Sequence, residues 1–398
     1  MIEKGTAILI IVENLPVPFD RRVWQEARAL REAGFRVSII CPKGKGFERS
    51  RETLAGIEIY RHRLWEASGP LGYPIEYGWA LAAEFYLALK AYARTRFRIL
   101  HACNPPDTIF LIGLFFKLFG VRFLFDHHDL SPELFEAKFR RRTGLFYRLT
   151  CLTERWTFRT ADVSIATNDS YREVALTRGG MPPERVFIVR SCPELQNIRL
   201  GPADMSLKRG KPFLVVYLGV MGPQDGLDLL LESIDFMVND RGRQDISFVL
   251  IGAGTELPKL QRLVAGMGLE GAVRFTGRIS DEEVAAYLST ADVGVAPDPA
   301  NPMNDKSTMN KILEYMAYGC PVVLYDLTEG RRSAGDAAVY ARSNDPVDFA
   351  EQVLKLLASE SLRHELGAHG RRRIEEALNW DKEKPALLAA YATALKSS

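Results

Sequence analysis

Asn301-Pro-Met-Asn-Asp-Lys-Ser-Thr-Met-Asn-Lys-Ile-Leu-Glu-Tyr-Met-Ala-Tyr-Gly-Cys-Pro-Val-Val323 runs from a polar loop into a helix and breaks at the start of a buried strand. The spacing predicts a helix over about Thr308–Tyr318, capped by Asp305 or Ser307 and stopped at Gly319, with Pro321 beyond. Loop, helix and strand in this order form one repeat of an α/β domain whose parallel sheet is covered on both faces. A helix opening onto a polar loop offers unpaired N–H groups and a positive dipole end, which suit a diphosphate. Thr308, Met309 and Asn310 form that end, and Lys306 and Lys311 add charge beside it. Glu314 follows Lys311 by three residues on the same face, where its carboxylate can take two ribose hydroxyls. An ordinary capped helix with an exposed Lys-Glu pair is the alternative.

Working outward, further short apolar runs precede this segment: Phe213 to Leu218, Ser247 to Ile251, Val273 to Phe275 and Val293 to Ala296. After the first of them comes Gly219-Val-Met-Gly222, whose glycines let backbone N–H groups approach a phosphate. After the third, Thr276-Gly-Arg278 is either a turn that reads a base, with Arg278 over one face, or a purely structural turn. An earlier series has strands at Ala7 to Val12, Arg36 to Cys41, Ile57 to Arg61, Ile99 to Ala102, Arg122 to Asp126, Val163 to Thr167 and Val186 to Arg190. The polar stretch from Pro193 to Gly210 separates the two series. The predicted organisation is therefore a first Rossmann-like domain over 1–195, a second over 211–378, and a helix over 379–398 that crosses back. Ligands of such sheets sit outside the carboxyl ends of strands, here in a cleft between the two halves.

The first half has its own polar ends. Asp126-His-His-Asp129 closes a strand, so a histidine there can reach a transferred sugar or a leaving phosphate. Adjacent residues of an extended chain point to opposite sides, which argues against a shared metal, and His127 is chosen over His128. Asp129 and Glu133 are candidates for steering an acceptor hydroxyl. A structural histidine and a metal ligand are the alternatives, though no second ligand cluster accompanies it. Asn104 follows another strand and is either an acceptor-side residue of the cleft or simply part of a Pro-Pro turn. Asp20 caps the first helix and, with Arg22, opens it where the acceptor should approach; Arg22 either faces an acceptor phosphate or belongs to a solvated face.

Bulk properties exclude more than they select. The 398 residues carry 52 Lys and Arg against 50 Asp and Glu, a net charge of +2, so no overall excess argues for nucleic acid. Five cysteines without a C-x-x-C pair read as buried reduced thiols in a cytoplasmic protein. The apolar stretch from Thr108 to Phe125 is interrupted by Lys117, Gly120 and Arg122, and reads as a helix leading into a strand. Phe135 to Arg159 interleaves basic and apolar residues at helical spacing. It suits either a peripheral site on the inner face of an anionic plasma membrane or a core-packed helix with a solvated basic face.

The order of the glycine turn, Phe275-Thr-Gly277, Tyr287-Leu-Ser-Thr-Ala-Asp292 and Lys311-Ile-Leu-Glu-Tyr-Met-Ala-Tyr-Gly-Cys-Pro-Val-Val323 resembles the retaining glycosyltransferases of family 4, which have the GT-B fold. Phe19-Asp-Arg-Arg-Val-Trp-Gln-Glu-Ala-Arg-Ala-Leu30 and Asp126-His-His-Asp-Leu-Ser-Pro-Glu133 resemble its bacterial branch that builds surface polysaccharides. The resemblance implies a nucleotide-diphosphate sugar donor, a UDP-sugar being favoured, held by the second half. It also implies a lipid-linked or glycan acceptor on the first half, retention of configuration, and no cofactor or metal. Glu314 matches the second glutamate of the family's E-x7-E motif, while Lys306 stands where the first should be. An Arg and a Lys that usually follow the glycine strand are replaced by Val220 and Asp225. Lys306, Lys311 and Arg190 are the candidates to supply the missing positive charge. Catalytic roles then fall to His127, Lys311 and Glu314. A nucleotide-sugar epimerase of the same architecture and a non-catalytic sugar-nucleotide binding protein are the rival readings. A dehydrogenase is disfavoured, since prolines stand where G-x-G-x-x-G should follow the first strand.

Overall fold

A computed structural model of the chain describes residues 5–64, 73–139 and 142–396. It divides into two compact units, Met1–Ser191 together with Glu383–Ser398, and Cys192–Lys382. The stretch from Pro193 to Gly210, read as a linker, thus counts with the second unit.

The first unit contains β1 (Ala7–Val12), β2 (Arg36–Pro42), β3 (Arg51–Leu54), β4 (Ile57–His62), β5 (Ile99–Cys103), β6 (Arg122–His127), β7 (Val163–Ala166) and β8 (Val186–Ile188). They form one sheet in the order β3-β4-β2-β1-β5-β6-β7-β8, parallel except where β3 runs against β4. Helices α1 (Arg21–Glu32), α2 (Tyr73–Thr95), α3 (Phe110–Lys117), α4 (Ser131–Phe139), α5 (Leu145–Thr160) and α6 (Asp169–Thr177) connect them. Every residue of β1 and β5 is buried, as continuous apolar runs require in a sheet covered on both faces. The chain passes from β1 outward to β2 and returns to β5 on the other side. That reversal opens a crevice at the carboxyl ends of β1 and β5.

The second unit repeats the scheme with β9 (Phe213–Leu218), β10 (Ile246–Ile251), β11 (Val273–Gly277), β12 (Val293–Ala296), β13 (Val322–Tyr325) and β14 (Ala338–Ala341). All are parallel in the order β11-β10-β9-β12-β13-β14. Its helices are α7 (Leu227–Asp235), α8 (Leu257–Gly266), α9 (Asp281–Thr290), α10 (Asn310–Ala317), α11 (Thr328–Ala334), α12 (Pro346–Ala358) and α13 (Glu360–Glu376). Alternate residues of β9 feed opposite cores: Val215 and Tyr217 pack with α7 and α12, Leu214 and Val216 with α10. The reversal here lies between β9 and β12. A last helix, α14 (Trp380–Lys396), returns to the first unit, where Tyr391 packs on Phe35 and meets His101 Nδ1 through its hydroxyl at 2.7 Å.

Two strands escaped the sequence reading, and both lie at sheet edges. Polar Arg51-Glu-Thr-Leu54 is an antiparallel edge strand, and β14 is a four-residue edge strand. The five cysteines are free, four of them buried. Among the described residues, no helix is long and apolar enough to cross a membrane.

Candidate functional site

In the second unit the reversal point gathers three pieces. The first is the turn Gly219–Gly222 after β9, the second is Asp298 just past β12, and the third is the start of α10. Helix α10 begins at Asn310, later than the expected Thr308, and Met309 is its N-cap without a side-chain cap hydrogen bond. Neither expected residue is the N-cap of α10. Asp305 instead accepts from the backbone N–H and hydroxyl of Thr328, and the Ser307 hydroxyl donates to Met303 O. The helix is held in place by Tyr315, whose hydroxyl accepts from Leu218 N at 2.8 Å and donates to Val295 O at 3.1 Å. Its ring lies so close to β12 that a Cβ on Gly294 would come within 2.6 Å of it. Asn304, buried, donates to Gln224 O and Pro299 O and so ties the loop to the glycine turn.

Lys311 is in this site but its charge is already shared. Its ammonium lies 2.7 Å from Asp298 Oδ1 and over the Tyr217 ring at 4.9 Å, and both Lys311 and Asp298 are buried. Gly219 is packed under this group: a Cβ there would meet the Tyr217 hydroxyl at 2.9 Å and Lys311 Cε at 3.3 Å. The N–H of Gly222 donates to Asp225 Oδ2 at 2.9 Å. Burial pushes the Asp225 carboxyl up and Lys311 draws it back down. Glu314, Lys306, Thr308 and Met309 are half-buried around the same helix start, and Asn310 is exposed. Arg278 is exposed after β11, two strands away from β9. Arg190 belongs to the first unit and is committed there to Asp169 Oδ2 at 2.7 Å and to Glu383. Asp298, Tyr217, Asn304 and Tyr315 went unnoticed in the sequence. They read as loop and core residues until their partners from other strands are known.

In the first unit the carboxyl end of β6 is the polar centre. Asp126, fully buried, receives Arg22 Nη2 at 2.8 Å and Nε at 3.2 Å, and lies 2.5 Å from His128 Nε2 and 3.4 Å from His101 Nε2. Burial alone would raise this carboxyl, but Arg22, His128 and His101 together hold it well below the usual range. Nearby Glu26, 3.1 Å from Arg22 Nη2, is pushed well above its usual value by burial and by Asp126. His101, Cys103 and Asp126 offer ligand atoms within 4.8 Å of one another. The guanidinium already on Asp126 makes this a poor seat for a cation.

Several sequence expectations are corrected here. His127, chosen over His128, is fully buried among Phe125, Phe158 and Tyr171, with ring centroids 5.0 to 5.2 Å away. Neither ring nitrogen has a hydrogen-bond partner among the described residues, and burial pushes the imidazole down to about 3. His128 is the half-buried one. Arg22 is buried and not on a solvated face, and its remaining donors go to Val189 O at 2.8 Å and Ser191 Oγ at 3.2 Å. Glu133 is buried and bound through both oxygens to Arg178, which also holds Glu154. Asn104 is buried and fastens the loop, accepting from His128 N at 2.7 Å and donating to Asp129 O at 2.7 Å. Asp129 is half-buried in that loop. Asp20 caps α1 through Val23 N, as read.

Two α/β units, each with its polar residues at a strand-order reversal, define the GT-B class of fold. Sucrose-phosphate synthase from Thermosynechococcus elongatus superposes with a TM-score of 0.79 at 17% identity over 99% of this chain and 100% of that one. HepE from Anabaena, in complex with UDP and glucose, gives 0.73 at 14% identity over 98% and 99%. The model of the glycosyl transferase 4-like domain matches residues 20–192, and that of glycosyl transferases group 1 matches residues 212–359. The chain belongs to family 4 of the GT-B glycosyltransferases. A D-inositol 3-phosphate glycosyltransferase from Geodermatophilus obscurus is 30% identical over 59% of this chain and 53% of its own length. A phosphatidyl-myo-inositol mannosyltransferase from Propionibacterium freudenreichii is 26% identical over 75% and 70%. The chain thus spans about half the length of the first of these relatives.

Proposed function

We propose that this protein transfers a sugar from a nucleotide-diphosphate donor, a UDP-sugar by preference, to a lipid-linked or glycan acceptor in bacterial surface polysaccharide synthesis. Configuration is retained and no metal is required. The observation that carries this reading is the reversal point of the second unit, where the uncapped start of α10, Lys311 and the glycine turn converge. Backbone N–H groups and an ammonium at one spot stabilise negative charge on a diphosphate as its bond to the sugar breaks. Glu314, one turn further along, takes the ribose hydroxyls. In the first unit His128, oriented by Asp126, replaces His127 as the group for the transferred sugar. The UDP and UDP-glucose held by HepE support a uridine donor, and the lipid in the mannosyltransferase's name supports a lipid-linked acceptor.

Asp225 on the Gly222 amide and Asp298 on Lys311 favour one other reading, a protein that binds the donor without turning it over. Calorimetric titration of wild type and Glu314→Ala with UDP, GDP and ADP tests the site. Binding of one nucleotide, weakened by Glu314→Ala, supports it and names the base; binding of none rejects it. Release of nucleotide from the matching donor, with membrane extract as acceptor, then separates transfer from mere binding.

A further inference from the structure

Helices α2, α3 and α5 lie side by side in the first unit. Phe85 of α2 meets Phe115 of α3 at 4.9 Å between ring centroids, and Phe110 of α3 lies 5.9 Å from Trp156 of α5. Their inner sides share one core, which includes Ala88, Ile112, Phe116 and Phe158. Their outer sides are apolar as well. Leu111, Leu114 and Leu118 form a stripe along α3 and just past its end, with Leu118 81% exposed. On α5, Leu145, Leu149, Leu152 and Trp156 recur at spacings of four, three and four, and Leu145 is 70% exposed. Trp79 and Tyr86 of α2 are each 56% exposed. An exposed apolar surface spread over three adjacent helices marks an interaction site.

The charges decide what kind of partner it fits. Across 78–96, 110–120 and 145–159, the exposed charged side chains among the described residues are Lys90, Arg94, Arg96, Arg148, Arg155 and Arg159, all cationic. The only carboxylates there, Glu84 and Glu154, are fully buried. Arg148, Arg155 and Arg159 run along one flank of the α5 apolar stripe, as their spacing of seven and four dictates. A second copy of this chain would bring cations against cations, and a nucleic acid would meet leucines at the centre of its footprint. An anionic lipid surface accepts both parts, with aromatic and leucine side chains entering the headgroup region and arginines at the phosphates.

We propose that the outer face of α2, α3 and α5 seats the protein on an anionic phospholipid bilayer. The sequence had limited this surface to Phe135 to Arg159. Arg140 and Arg141 of that stretch lie outside the described residues, while Glu154, Thr157 and Phe158 are buried in the core. Docking goes beyond the donor reading and does not depend on it, because vesicle binding is measured without nucleotide. The test is sedimentation of the purified chain with vesicles of pure phosphatidylcholine, and with vesicles containing one third phosphatidylglycerol. The expected result is binding to the anionic vesicles alone. Each basic residue near such a surface contributes about fivefold, so Arg148→Glu with Arg155→Glu lowers partition at least ~25-fold. Leu149→Glu with Trp156→Glu, both at exposed positions, abolishes it while circular dichroism stays that of the wild type. Equal binding to both vesicle types, binding to neither, or unchanged partition of the arginine variant each overturns the proposal. So does a wild-type dimer in analytical ultracentrifugation that the Leu149→Glu, Trp156→Glu variant loses.

Discussion

His127 and His128 are neighbours in sequence with opposite surroundings, and variants of the two should behave in opposite ways. His127→Phe replaces a ring lacking hydrogen-bond partners with an apolar one of similar shape among three aromatic rings, so transfer activity and fold survive. His128→Ala removes the ring fixed by Asp126 and should lower turnover by about a hundredfold, as loss of a group positioned at the reacting centre does. Acid unfolding provides a second check. Folded His127 is held near 3 against an ordinary 6.5, so the unfolded chain takes up the proton first. The stability associated with the neutral ring is therefore present above pH 6.5 and is lost as pH falls from 6.5 toward 3. Glu154, raised to about 7 by burial, acts in the other sense, and its contribution is lost as pH rises from about 4.5 through 7. In His127→Phe the acid midpoint should move to lower pH by circular dichroism, while the loss of stability toward neutral pH that comes from Glu154 remains.

Among the elements, α10 shows how a site can be present and still partly occupied by the protein itself. The Asp225 carboxylate sits on the Gly222 N–H and shares the field of Lys311, where a phosphate oxygen would otherwise bring its charge. Asp225→Asn keeps the side-chain oxygen but removes a negative charge from that corner. Nucleotide diphosphate should bind about fivefold more tightly, a charge effect on the order of 1 kcal/mol, as calorimetry can measure. Lys311→Ala is a poorer probe, because it strands Asp298 in the interior. A cost of about 3–5 kcal/mol in stability is expected along with lost affinity, so its thermal midpoint must be measured beside its binding. What the sequence revealed of this site follows the same line. Lys311 and Glu314 were legible, since three-residue spacing puts them on one face of a helix that opens from a polar loop and ends at Gly-Cys-Pro. Asp298 was not, because its meaning depends on a lysine thirteen residues on and on the order of β9 and β12 in the sheet. Arg22 failed for the same reason: a guanidinium on the first helix is a surface residue until a carboxylate 104 residues away is known to lie against it.

For the whole molecule, apolar runs and their punctuation were enough to read two α/β units, because a buried parallel strand carries its own signature. The four-residue strand β3, polar and with no buried residue, carries none, and β14 is only four residues long, which is why these two were missed. The return of α14 to the first unit was legible only as an Ala/Leu-rich segment left over after the second sheet. Its packing gives the return a measurable consequence. Tyr391 is fully buried against Phe35 and bonded to His101, so it completes the core of a unit that otherwise ends at Ser191. Tyr391→Ala leaves a cavity and unpairs His101 Nδ1, which should cost about 3–5 kcal/mol. For a unit of this size that is a drop on the order of 10 °C in the transition of the first unit, while the second unit, with separate cores on either side of its own sheet, keeps its midpoint. Scanning calorimetry with and without UDP distinguishes the two transitions, since a nucleotide held at α10 raises the second alone. Tyr391→Phe keeps the ring and loses the bond, and should move the first transition by only about a quarter as much. If Tyr391→Ala moved the transition that nucleotide raises, the last helix would belong with the second unit instead.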